Sequence, residues 1–260
     1  MNKYKKIVSI AATAVMCVAP MSVYAQEAQT DVIEAVAEKK QDTESSSVPV
    51  LQKEGIEISE GTGYDLSKEP GAATVKALEQ GTIVISYKTT SENAIQSLLS
   101  VGNGTKGNQD RHFHLYITNA GGVGMELRNT DGEFKYTLDC PAAVRGSYKG
   151  ERVSNTVALK ADKENKQYKL FANGELIATL DQEAFKFISD ITGVDNVMLG
   201  GTMRQGTVAY PFGGSIERMQ VYRDVLSDDE LIAVTGKTIY AENISVSYTH
   251  LRAHETGAYL

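Results

Sequence analysis

The sequence predicts an all-β protein, an antiparallel β-sandwich, and three observations carry that expectation. From Gly55 onward the chain breaks into short runs that alternate apolar and polar residues and are separated by turn residues, as in sandwiches rather than helical or βαβ proteins. Asn173-Gly174 stands between two such runs in QYKLFANGELIATL, the strongest short-range hairpin signal a sequence offers. Helical periodicity is confined to a few brief stretches.

Taken in order, the chain opens on Lys3, Lys5 and Lys6, then an apolar run from Ile7 to Val18, then Val23-Tyr24-Ala25 with small residues where a signal peptidase reads. Residues 1–25 are therefore expected to be an export signal. Pro20 and Ser22 cut the run short of the roughly 20 apolar residues a membrane span requires, so no membrane span is expected. Met16 directly before Cys17 argues against a lipoprotein signal. Cys17 leaves with the signal, so Cys140 is the lone cysteine of the mature chain and reads as structural, because neighbouring Asp139 disfavours a thiolate.

Residues 26–54, rich in Glu, Lys, Gln and Ser, read as a flexible linker, with a nascent helix expected over Asp31 to Lys40. Residues 55–236 form the expected sandwich module. Its strands are anticipated at Thr82 to Lys88, Leu98 to Val101, Thr156 to Lys160, on both sides of Asn173-Gly174, in NVMLGG and in SIERMQVYRDV. Single helical turns are expected at Glu92 to Leu98 and Gln182 to Ile188. A longer helix over Ser227 to Val234 is marked by Ser227 with Glu230 three residues on, a capping box. Residues 237–245 read as the start of a linker toward a further domain. Val246 to Thr256 resembles a translated sequencing-adapter, so 246–260 is expected to be an artefact, and the i, i+4 pair His250 and His254 is set aside as a metal motif.

The stretch with most chemistry is HFHLYITNAGGVGMELR, His112 to Arg128, where two alternating segments flank a Gly-rich turn. Alternation puts Phe113, Leu115, Ile117, Met125 and Leu127 on one side and Tyr116, Glu126 and Arg128 on the other, provided no bulge interrupts GGVG. A phenol, a carboxylate and a guanidinium on one face suit a polar, negatively charged ligand. His112 and His114 fall on the same side and read as polar sheet-face residues, because no third ligand stands in recognisable metal spacing.

Composition excludes several classes. The formal charge of −7 becomes −10 once the three signal lysines are removed, so nucleic acid is not an expected partner. No paired-carboxylate strand motif, G-x-S-x-G, Gly-rich phosphate loop or HExxH occurs. The acids Asp228, Asp229 and Glu230 sit at the expected helix start, where they suit the dipole. The residues present thus read as non-catalytic, with no catalytic residue assigned.

NTVALKADKENKQYKLFANGELIAT and FGGSIERMQVYRDVLSDDEL resemble the concanavalin-like and laminin-G-like sandwiches, the jelly-roll class. Across nearly the whole module the chain is similar to family 40 carbohydrate-binding modules, the sialic-acid-binding domains N-terminal to bacterial sialidases. The similarity points to the module of a gut-bacterial intramolecular trans-sialidase. The resemblance implies that Arg128 and Arg204, the latter in GGTMRQGTVAY, hold the sialic acid carboxylate. It assigns Glu126 as the acidic residue, Tyr116 and Tyr210 as the aromatic positions, and Ile95 as the apolar contact. It further implies a secreted or cell-surface bacterial protein, a parent sialidase whose catalytic domain is missing, sialylated glycans or mucin as partners, and a monomeric module. No cofactor or metal is assigned; calcium is not indicated, because the acids near Asp110 and Asp195 do not cluster as it requires. The rival expectation is a laminin-G-like, calcium-dependent adhesion or neutral-glycan module.

The chemistry of the six residues is consistent with that ligand. A planar guanidinium grips a carboxylate through two parallel hydrogen bonds, as lysine cannot. Tyrosines add ring surface and a hydroxyl, and an isoleucine can cover an acetyl methyl.

Overall fold

The computed structural model describes residues 47–91, 95–105, 107, 110–129, 134–140 and 154–236. The expected signal, the Asp31 to Lys40 helix, residues 26–46 of the first linker, and residues 237–260 lie outside them. Among the described residues no helix is long and apolar enough to cross a membrane.

The described chain is an antiparallel β-sandwich. The first six-stranded sheet contains β1 (Leu51–Ile58), β3 (Gly81–Thr89), β8 (Asn155–Asp162), β9 (Gln167–Ala172), β10 (Glu175–Asp181) and β14 (Gly214–Tyr222), in the order β1-β14-β3-β8-β9-β10. The second contains β2 (Tyr64–Asp65), β4 (Gln96–Gly102), β5 (His112–Ile117), β6 (Val123–Asn129), β7 (Phe134–Cys140) and β11 (Asn196–Leu199), in the order β2-β11-β4-β5-β6-β7. A two-stranded ribbon, β12 (Thr202–Arg204) with β13 (Thr207–Ala209), forms a separate small sheet. β1 begins at Leu51, inside the segment read as linker to residue 54. Its GIEI end alternates too briefly for the sequence pattern to reveal the strand, which is set by pairing with β14.

Alternation builds the core. Ile83, Ile85 and Tyr87 from β3, with Val157 and Leu159 from β8, face Phe113, Leu115, Met125 and Leu127 from the second sheet, all fully buried. Phe113 meets Phe187 edge-on with centroids 5.7 Å apart. Asn173 and Gly174 adopt φ of 50° and 90°, the paired left-handed conformations of a type I′ turn, and join β9 to β10 as expected.

Helical content differs from expectation in two places. Gln96 to Leu98 belong to strand β4 and not to a turn of helix, because Gln96 and Ser97 pair with Ile117 and Tyr116 and Leu98 is the extra residue at a register shift before Leu99 pairs with Leu115; residues 92–94 lie outside the described set. Gln182 to Phe187 is irregular, and only Ile188–Asp190 forms a 3-10 turn. A five-residue helix, α1 (Ala72–Lys76), has no sequence signal of its own and buries Ala72 and Val75.

The C-terminal helix, α2 (228–236), starts as the capping box predicts: the Glu230 N–H donates to Ser227 Oγ at 3.2 Å, and Glu230 Oε2 accepts from the Ser227 N–H at 2.8 Å. Leu231 packs with Val84, Ala158 and Phe171 on the outer face of the first sheet. Asp228 clamps the helix start there, accepting from Lys160 at 2.8 Å and Lys169 at 2.5 Å.

Candidate carboxylate-binding site

The β5–β6 hairpin pairs His112 with Arg128, His114 with Glu126 and Tyr116 with Gly124, with no register shift. Side chains two apart share a face, so His112, His114, Tyr116, Glu126 and Arg128 all point away from the core. The expected polar face therefore exists, with the bulge-free register it assumed.

That face is not open to water. The β12–β13 ribbon lies over β4: Thr202 Oγ1 donates to Ser97 Oγ at 3.1 Å and lies 3.3 Å from His114 Nδ1, while Ser100 Oγ donates to the Gly201 carbonyl at 2.8 Å. His112 and His114 are consequently only 1% and 3% exposed, contrary to their reading as ordinary polar surface. His114 stacks on Tyr116 with centroids 4.4 Å apart and on Tyr210 at 5.2 Å, so one imidazole lies between the two tyrosines. Burial, reinforced by the neighbouring charge of His112 and the arginines, pushes His114 down to about 3 and keeps it neutral.

Gln205 and Gly206 take φ of 51° and 78°, a type I′ turn that holds Arg204 at the ribbon tip. Tyr210, with φ of 52°, occupies the left-handed region that a bulky residue rarely enters, and its carbonyl accepts from the Ser97 N–H at 2.9 Å. From there its ring lies 5.5 Å from the Arg204 guanidinium carbon and its hydroxyl accepts from Arg204 Nη1 at 2.8 Å.

The two arginines converge. Asp110 Oδ1 accepts from Arg128 Nη2 at 3.2 Å and from Arg204 Nη2 at 3.0 Å. Arg128 Nη1 also lies 3.5 Å from Glu126 Oε1. Glu126 receives His112 Nε2 at 3.2 Å and Lys135 Nζ at 3.4 Å. Burial opposes its ionisation, but the His112 hydrogen bond and the Arg128 charge outweigh burial and hold the carboxyl at about 2. Both arginines keep about a quarter of their side-chain surface exposed, so the buried network presents its charge outward.

Tyr116 is nearly buried, and its hydroxyl donates to Asp139 rather than facing outward. Burial and then that bond push the phenol far above its usual range. Gly124 opposite makes room: a Cβ there would lie 2.2 Å from Asp139 Oδ1 and 2.7 Å from Tyr116 Cζ. Ile95 sits half-exposed at the bend before β4, two residues ahead of Ser97. The structure thus ties Tyr116, Glu126, Arg128, Arg204 and Tyr210 into one cluster, and Ile95 lies outside its hydrogen bonds and ring contacts.

Asp110 and the two histidines were not among the expected site residues. Position 110 shares the parity of 112 and 114, which was the one signal available for it. Donor atoms of His112, His114 and Glu126 lie within 4.8 Å of one another. One carboxylate and two imidazoles do not supply the six to eight oxygens calcium takes, and two arginines beside them repel any cation.

The profile of the family described as "Sialidase, N-terminal domain" matches residues 33–239. An anhydrosialidase from Macrobdella decora is 64% identical over 229 residues, covering 86% of this chain and 30% of its own length. Sialidase B from Streptococcus pneumoniae is 29% identical over 156 residues, covering 60% of this chain and 22% of its own. The chain thus spans less than a third of those relatives. A solved structure of the Ruminococcus gnavus IT-sialidase CBM40 bound to α2,6 sialyllactose is 99% identical, with TM-score 0.71, covering 73% of this chain and all of that one. A match across most of its length, together with the β-sandwich, places the chain in the sialidase N-terminal domain family, the family 40 carbohydrate-binding modules.

Proposed function

We propose that this module binds terminal sialic acid and leaves it chemically unchanged. The observation that carries the reading is the convergence of Arg128 and Arg204, from separate elements, on one carboxylate oxygen at 3.2 and 3.0 Å. A pair of guanidiniums so placed is a receptor for a sugar carboxylate. Glu126 accepts from an amide or hydroxyl of the sugar, Tyr116 and Tyr210 build the floor with His114 between them, and Ile95 covers the acetyl methyl. The R. gnavus modules bound to α2,6 and α2,3 sialyllactose, at 99% and 96% identity, support this ligand.

Glu126, the carboxylate of this cluster, is held ionised down to about 2 and so is not the protonated acid a glycoside hydrolase needs near neutral pH. The module instead concentrates a linked catalytic domain on sialylated glycans such as mucin, so the parent protein is a secreted bacterial sialidase or intramolecular trans-sialidase. Residues 1–25 act as its export signal, and the module works as a monomer without a cofactor.

Calorimetric titration tests the reading. Sialyllactose should bind with Kd between about millimolar and micromolar, roughly −4 to −8 kcal/mol, because a small ligand on a shallow face gains modestly from solvent-screened ion pairs. Lactose should not bind, and Arg128→Ala should abolish sialoside binding. Equal binding of both sugars, or an unaffected variant, overturns the assignment and favours a neutral-glycan module.

A further inference from the structure

We propose that Asp110 is a positioning residue for the sialic acid carboxylate, acting entirely through Arg128 and Arg204. The inference rests on the sialic-acid reading above and adds a residue to it. One oxygen, Oδ1, takes Nη2 of both arginines, at 3.2 Å and 3.0 Å, so the two Nη2 atoms are at most about 6.2 Å apart. Without an anion between them, two guanidiniums at that spacing repel.

The other end of each fork is also held. Arg128 Nη1 faces Glu126 Oε1 at 3.5 Å, and Arg204 Nη1 donates to the Tyr210 hydroxyl at 2.8 Å. Each guanidinium is therefore fixed at two points, which sets its plane as well as its position. Asp110 Oδ1 is a contact the two arginines share. Arg128 belongs to a six-stranded sheet, whereas Arg204 ends a three-residue strand in the ribbon laid over that sheet. Asp110 joins the two guanidiniums beyond the hydrogen bonds that already seat the ribbon on β4. Its own place is fixed by the neighbouring pair in which the Arg111 carbonyl accepts from the Asn103 N–H at 2.7 Å.

Charge alone predicts the opposite behaviour. A carboxylate beside two arginines neutralises them and competes with the ligand, so its removal would tighten anion binding. Positioning predicts weaker binding, because two freed arginines must be ordered again by the ligand. The sign of the change decides between the two.

The experiment is calorimetric titration of 3′-sialyllactose into the wild-type module, Asp110→Ala and Asp110→Asn, with thermal melts of each. Asp110→Ala is expected to weaken binding roughly tenfold, the cost of immobilising two side chains anew. Asp110→Asn retains an acceptor oxygen and is expected to fall between the other two, a partial rescue that a purely charge-based role would not show. Melting temperatures should stay close together, because Asp110 lies a quarter exposed on a loop. Should Asp110→Ala fail to fold, the isosteric Asp110→Asn carries the test alone. Binding by Asp110→Asn that equals or exceeds wild type overturns the positioning role and leaves the sialic-acid reading standing. Wild-type protein that does not bind 3′-sialyllactose overturns both.

Discussion

The outer faces of the two sheets begin from the same rule and end differently. Each lies opposite a face buried in the common core, and each is covered by a later segment of chain. On the first sheet the cover is the helix 228–236, which meets Val84, Ala158 and Phe171 and seals an apolar patch. On the second it is the β12–β13 ribbon, which meets His114, Ser97 and Ser100 and leaves arginines at its margin. Both faces even use the same device, one aspartate bridging two cations: Asp228 between Lys160 and Lys169, Asp110 between Arg128 and Arg204. A compact lysine ammonium in that device fastens a helix, whereas a forked guanidinium keeps further donors for a ligand.

The comparison breaks most visibly under truncation of Phe171, which is fully buried beneath the helix. Phe171→Ala should cost about 3 to 5 kcal/mol of stability by urea unfolding, with the Kd for sialyllactose unchanged where the protein remains folded. A comparable loss of affinity would mean the two faces are coupled. Arg204→Ala should do the reverse, weakening sialyllactose by roughly tenfold or more while leaving the melting temperature nearly unchanged.

Acid should separate the faces next. His114 has a folded pKa of about 3 against an ordinary 6.5, so between those values the unfolded chain binds a proton that the folded one refuses. Stability therefore falls as pH drops from 6.5 toward 3, by up to about 1.4 kcal/mol per pH unit. Glu126, lowered to about 2 from 4.5, contributes stability that is present above 4.5 and lost as pH falls toward 2. Unfolding free energies measured across pH for His114→Phe should show the slope between 6.5 and 4.5 flattened. An unchanged slope would place the proton uptake elsewhere.

Smaller effects sharpen the contrast. Gly124→Ala drives a methyl against Asp139 and Tyr116 and should cost about 1 to 3 kcal/mol, with a parallel loss of sialoside affinity. Asp228→Asn should cost no more than about 1 kcal/mol and leave affinity untouched, because that aspartate is a third exposed and solvent screens its ion pairs.

How far the sequence reveals this molecule depends on range. The Asn173-Gly174 turn, the Ser227 cap and the β5–β6 register were all legible, because each follows from residues within a few positions of one another. The burial of His112 and His114 was not, because alternation says which way a side chain points and nothing about a ribbon arriving from 88 residues away. Asp110 was hidden for the same reason, its Arg204 partner being 94 residues distant. Arg204 itself was named by resemblance alone; the turn at Gln205-Gly206 that aims it lacks the Asn-Gly or Asp-Gly signature. The short helix Ala72–Lys76 has no side-chain cap and owes its existence to the core it packs on.

The ribbon has one further consequence, for folding. Its contacts to His114 and Asp110 span 88 and 94 residues, so the anion receptor comes into being only after the long-range topology closes. A sialoside therefore sees the finished molecule and no partly folded intermediate that lacks the ribbon. At a hundred times its Kd such a ligand would deepen the native well by about 2.7 kcal/mol.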